Sequence, residues 1–77
     1  MKYENNTYPL YGFGERLKQA REQAGYSKKG LAEKVKIDRK IIQRYENDES
    51  RANFTVVAKL AYELNVSIDW LAYGKEK

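Results

Sequence analysis

From Phe13 onward, apolar residues recur at helical spacing and nowhere alternate with period two for long enough to form a strand. Phe13, Leu17, Ala20 and Ala24 step by four, three and four, which predicts one stripe of a first helix. Gly25 stands where a left-handed C-terminal cap belongs. Ser27 can then cap a second helix with Leu31, Ala32 and Val35 inward. Lys36-Ile37 is too short for anything but a tight turn. Asp38 caps a third helix with Ile42 and Tyr45 inward, and its carboxylate suits the positive end of that helix. Residues 47–53 are polar and read as a loop. Asn53 caps a fourth helix whose stripe is Phe54, Val57, Leu60, Ala61 and Leu64, with Asn65 ending it. Ser67 caps a short fifth helix carrying Ile68 and Leu71, which Gly74 closes. The expectation is an all-α domain of five short helices over residues 12–74, with an N-terminal arm at 1–11 and a tail or linker start at 75–77.

The arm carries Tyr3, Tyr8 and Tyr11 without helical spacing, along with Asn5, Asn6, Thr7 and Pro9. It is too apolar for a freely waving tail and is expected to pack on the domain or on a partner.

Composition removes most catalytic chemistry. Seventy-seven residues make one small domain at most, with little room for a deep ligand cavity. The chain has no cysteine and no histidine. Disulfides, thiolate metal sites, the commonest general base and every Ser/Cys–His pairing are therefore absent. Gly12-Phe13-Gly14 is a lone G-x-G with no strand before it, so it does not read as a phosphate loop. Glu46, Asp48 and Glu49 have no His or Cys beside them and read as a solvated loop. No catalytic residue, metal, cofactor or small-molecule ligand is expected. No apolar run reaches signal-peptide or membrane-span length, which leads to the expectation of a cytoplasmic protein with no membrane partner.

The charge changes the picture by its placement. The net charge is +4, yet residues 28–44 alone hold seven basic residues against two acidic ones. Two readings are open: a solvated helix face, or a patch facing a polyanion. The second and third helices lie about three residues apart, so they cross steeply and the third turns its far face outward. Arg39, Lys40, Gln43 and Arg44 share that face, opposite Ile42 and Tyr45. Ala32 is small where the two helices touch. The major groove of DNA admits one helix, where Arg bonds guanine, Gln bonds adenine and Lys reaches guanine or phosphate.

Several stretches carry a resemblance: Phe-Gly-Glu-Arg-Leu-Lys at 13–18, Gly-Tyr-Ser at 25–27, Leu-Ala-Glu-Lys-Val at 31–35 and Ile-Gln-Arg-Tyr-Glu-Asn at 42–47. Ala61, Leu-Asn-Val-Ser-Ile-Asp-Trp-Leu at 64–71 and Gly74 follow. Over about Phe13 to Gly74 the chain resembles the phage-repressor-type helix-turn-helix family, the Cro/repressor-like regulators. The resemblance implies a compact five-helix, lambda-repressor-like domain. It implies a sequence-specific transcriptional regulator, a repressor, that binds double-stranded DNA as a homodimer on a near-palindromic operator, on the nucleoid of a bacterial or phage-infected cell.

Matched residue by residue, the family's base-reading positions fall on Arg39, Lys40 and Ile41, with Gln43 and Arg44 one turn on. Ile41 touches a thymine methyl or forms the edge of the core, the second reading being preferred. Phosphate-clamping positions fall on Ser27 and Lys28, with Lys29 beside them, and on Asn47; Arg51 is a looser match. Arg21 and Glu46 match a family ion pair with a structural role. Three positions depart from the family pattern. Lys28 replaces a glutamine and Lys36 replaces the glycine of the turn, where a left-handed backbone would strain it. Gly30 sits inside the second helix, at a cost of about 1 kcal/mol against alanine. Trp70 and Tyr73 either complete the core or form an aromatic dimer contact, which would set two reading helices about 34 Å apart. The alternative function is a protein-interaction module on the same fold, antitoxin- or antirepressor-like, in which the arm and Trp70 do the binding.

Overall fold

Four of the five helices begin at a side chain that satisfies a backbone N–H which the first turn leaves without a partner. In the computed structural model, which describes residues 12–75, these helices are α1 (Phe13–Gln23), α2 (Lys28–Val35), α3 (Arg39–Glu46), α4 (Phe54–Leu64) and α5 (Ile68–Tyr73). Ser27 Oγ accepts from the Gly30 amide at 2.9 Å, and Asp38 Oδ1 from Lys40 at 2.7 Å. Asn53 Oδ1 accepts from Val56 and Ser67 Oγ from Trp70, each at 2.9 Å. Only α1 lacks such a cap; it starts from Gly12 at φ 78°. The arm at 1–11, and the expectation that it packs, lie outside the described residues, as do residues 76–77.

Left-handed residues end the helices. Gly25 (φ 83°), Asn65 (φ 59°) and Gly74 (φ 78°) follow α1, α4 and α5. Lys36 ends α2 at φ 60°, where its Cβ costs roughly 1–2 kcal/mol that glycine would not. The turn tolerates this because α2 and α3 are packed on either side of it.

One fully buried aliphatic side chain from each helix meets at the centre: Leu17, Leu31, Ile42, Leu60 and Leu71. Phe13 and Tyr45 extend this core between α1 and α3, edge to face with ring centroids 6.1 Å apart. Burial pushes the Tyr45 phenol pKa up.

Four positions differ from the sequence expectation. Ala24, placed on the inward stripe of the first helix, is exposed at the C-cap of α1, where the helix has ended. Glu46, read as part of a solvated loop, is the last residue of α3 and its side chain is buried. Phe54, placed on the inward stripe of α4, is 71% exposed. It is the first residue of the helix, beyond the reach of the core, and Ala52 of the preceding loop is buried there instead. Asp48 is more than a solvated loop residue: its Oδ1 accepts from the Gly14 amide at 3.2 Å. A Cβ on Gly14 would lie 2.5 Å from the Glu46 carbonyl oxygen and 2.6 Å from that of Tyr45. The G-x-G therefore serves packing, since only glycine lets α1 sit this close to the end of α3.

Candidate nucleic-acid interface

The turn between α2 and α3 is drawn tight by the Ile37 amide, which donates to the Ala32 carbonyl at 3.0 Å. Ala32 is buried at the crossing of the two helices. Ile42 and Tyr45 lock the inner face of α3, and Ile41 is half-buried against the core. Arg39, Lys40, Gln43 and Arg44 are exposed. A shallow cleft of about 400 Å³ lies between the start of α2 and this outer face. Ser27, Lys28, Lys29, Arg39 and Gln43 line it, with Arg21 beneath and no carboxylate among the lining residues. The cleft thus joins residues matched to phosphate contacts with residues matched to base contacts. Lys40 and Arg44 lie on α3 outside it, and Asn47 and Arg51 are exposed beyond the end of α3. The Ser27 hydroxyl is occupied in capping α2, and its remaining lone pair and proton face solvent.

Arg21 fixes α3 to the scaffold. Its Nε donates to Glu46 Oε2 at 2.6 Å and its Nη2 to Oε1 at 3.1 Å, a bidentate fork. Nη1 donates to the Tyr26 carbonyl at 3.0 Å, which ties in the segment leading to α2. The two side chains are 8% and 3% exposed. The hydrogen bonds to Glu46 raise the Arg21 pKa against the opposing effect of burial, so the guanidinium stays charged. Both helices that form the cleft are thereby anchored to α1.

One further arginine had no counterpart in the sequence reading. Arg16 donates from Nε to the Leu71 carbonyl at 3.0 Å and from Nη2 to the Ala72 carbonyl at 2.9 Å, clasping the end of α5. Burial lowers its pKa, with partial relief from the nearby charge of Asp48. Tyr26 adds another tie by donating from its hydroxyl to Glu63 of α4, which raises the phenol pKa. Trp70 is half-buried and packs on the core, while Tyr73 is 37% exposed. No group of three or more acidic residues gathers among the described residues to hold a metal ion. No helix among them is long and apolar enough to cross a membrane.

The helix-turn-helix domain family matches residues 14–77, which include α2, the tight turn and α3. The chain belongs to this family. It is 41% identical over 64 residues to the HTH-type transcriptional regulator ImmR of Bacillus subtilis strain 168, covering 83% of this chain and 50% of that protein. It is 37% identical over 62 residues to the SPbeta prophage-derived regulator YonR of the same strain, covering 80% and 57%. The chain therefore spans about half the length of the curated relatives it matches. Among solved structures, it is similar to SinR, a master regulator for biofilm formation crystallised with DNA (TM-score 0.73, 30% identity, 77% and 95% of the chains). It is also similar to the restriction-modification controller protein C.AhdI of Aeromonas hydrophila (TM-score 0.75, 29% identity, 80% and 94%). In this helix-turn-helix chain, α2 and α3 are the motif's two helices and the basic face belongs to the second.

Proposed function

We propose that this chain is a sequence-specific DNA-binding transcriptional regulator that lays the outer face of α3 in the major groove. The observation that carries this reading is a single exposed face bearing Arg39, Lys40, Gln43 and Arg44, on a helix held from behind by Ile42, Tyr45 and the Arg21–Glu46 fork. Arg39, Lys40, Gln43 and Arg44 read base edges. Ser27, Lys28, Lys29, Asn47 and Arg51 hold phosphates and set the register. The likeness to regulators, and to a domain crystallised with DNA, supports the reading. The chain acts by binding and not by catalysis, in the cytoplasm and on the nucleoid. It works as a repressor that covers promoter DNA. Two copies pair through the end of α5, with Trp70 and Tyr73 at the contact, and read a near-palindrome.

Binding to labelled duplexes tests these assignments. Arg39→Ala or Arg44→Ala each costs about 1–3 kcal/mol on the preferred site and blurs one base position. Lys28→Ala weakens all sequences alike and lowers the slope of log K against log salt by about one unit. A uniform loss for Arg44→Ala, or a sequence-selective one for Lys28→Ala, contradicts the roles given. The exposed rings of Phe54, Tyr62 and Tyr73 favour a second reading, a protein-interaction module. In that case partner binding survives neutralisation of the α3 stripe.

A further inference from the structure

Six residues among those described hold a left-handed backbone, and five of them are glycine, asparagine or aspartate. Those types accept a positive φ at small cost. Lys36, at φ 60°, is the exception. The turn does not need its side chain. Main-chain bonds close it, with the Lys36 and Ile37 amides both donating to the Ala32 carbonyl. Lys34 already gives the last turn of α2 a cation to oppose the helix dipole, without a left-handed backbone. The Lys36 ammonium is exposed and joins no ion pair or hydrogen bond with any described residue. Strained positions of this kind cluster where the residue has a functional use.

The surroundings of Lys36 indicate that use. A shallow concavity of about 600 Å³ lies over the turn, next to the cleft at the start of α2. Lys29 and Arg39 line both and divide one from the other, so Lys36 lies across them from Ser27 and Lys28. The charges lining the concavity are Lys29, Lys36 and Arg39 against Glu33 and Asp38. Asp38 Oδ1 is already engaged by the Lys40 amide. Without Lys36 the remaining charges would cancel, so this one residue makes the concavity positive. The turn leads directly into Arg39, the first residue of α3. A helix seated in the major groove lies between two strands of phosphates, and its N-terminal end lies deepest among them.

We propose that Lys36 is a further phosphate-contacting residue, which holds the DNA backbone on the far side of Arg39 from Ser27 and Lys28. The proposal rests on the DNA reading above. It makes the turn a place where stability is given up for a contact.

Fluorescence anisotropy tests this, with the full chain and labelled duplexes of random sequence over a series of salt concentrations. Lys36→Gly and Lys36→Asn both accept the left-handed turn and remove the charge. Each is expected to bind roughly fivefold more weakly at about 0.15 M salt, with the slope of log K against log salt shallower by about one unit. The gap to the native chain closes as salt rises. The thermal midpoint of Lys36→Gly rises at the same time, so the weaker binding does not come from a weaker fold. Lys36→Arg keeps the native slope. Lys59→Gln removes an equal charge from the exposed side of α4, outside both concavities, and also keeps it. A native slope in Lys36→Gly and Lys36→Asn overturns the proposal while the DNA reading stands. An equal change for Lys59→Gln overturns it too, because net charge and not position then sets the slope. A lower midpoint for Lys36→Gly also overturns it, because the lysine then serves the fold. Absence of binding by the native chain overturns the DNA reading and the proposal with it.

Discussion

Arg16 and Arg21 stand five residues apart on α1 and hold its two ends by different chemistry. Arg21 faces a carboxylate and forms a charged fork with Glu46. Arg16 hydrogen-bonds to backbone dipoles, the Leu71 and Ala72 carbonyls at the end of α5, with the Asp48 charge nearby as a weaker influence. The pKa shifts follow this difference: upward for Arg21, where hydrogen bonding to Glu46 outweighs burial, and downward for Arg16, where burial dominates. The α1–α3 seam is thus stiffened by a buried ion pair, whereas the α1–α5 seam rests on neutral acceptors. The surface that must present fixed side chains to a partner is the one held by charge.

Breaking the charged seam has the largest expected effect. Glu46→Ala strands the Arg21 guanidinium without its partner in a buried site and lowers unfolding free energy by about 3–5 kcal/mol. Denaturant unfolding measures this, and the surviving folded fraction keeps its DNA sequence preference. Unchanged stability with lost DNA binding would reverse the structural assignment of the pair. Arg16→Ala comes next, at about 1.5–3 kcal/mol, because the freed carbonyls near the surface are partly taken up by water. Hydrogen exchange locates its effect at α5 before α3, and a loss exceeding that of Glu46→Ala would invert the comparison of the two seams. Lys36→Gly lies outside both seams and raises stability by about 1 kcal/mol, by removing a Cβ from a left-handed turn. A decrease would mean that the lysine side chain makes a compensating contact.

The smallest effect is one of pH. Tyr26 and Tyr45 both have pKa values raised above the usual phenol value, the first by its hydrogen bond to Glu63 and the second by burial. The folded state holds these protons more tightly than the unfolded state. Their contribution is therefore fully present below about pH 10 and is lost as pH rises through the shifted values. No imidazole titrates near neutrality, because the chain has no histidine. Melting temperature is expected to fall above about pH 10. A Tyr26→Phe variant lacks the part of the fall that comes from the Glu63 hydrogen bond.

What could be read in advance follows from where each interaction is encoded. Caps and stripes are local, so Ser27, Asp38, Asn53 and Ser67 announced four helix starts, and spacing alone put Leu17, Leu31 and Leu71 inside. The outward face of α3 followed from Ile42 and Tyr45 pointing the other way. Contacts made to backbone were not legible. The Arg16 clasp binds carbonyls that every residue possesses, so no residue type at the far end announces it. The same holds for Gly14, whose need to be glycine arises from main-chain oxygens more than thirty positions away. The exchange of Phe54 for Ala52 at the edge of the core came from the limit of the helix period: the stripe is correct along α4, but its first residue lies past the packed region.

Selection of binding sites from a random duplex library tests the central claim most directly, with the native chain run beside an Arg39→Ala/Arg44→Ala variant. A near-palindromic site enriched by the native chain and lost in the variant is the predicted result. Enrichment of no sequence, with only salt-sensitive general binding by both proteins, would contradict the claim that the outer face of α3 reads DNA.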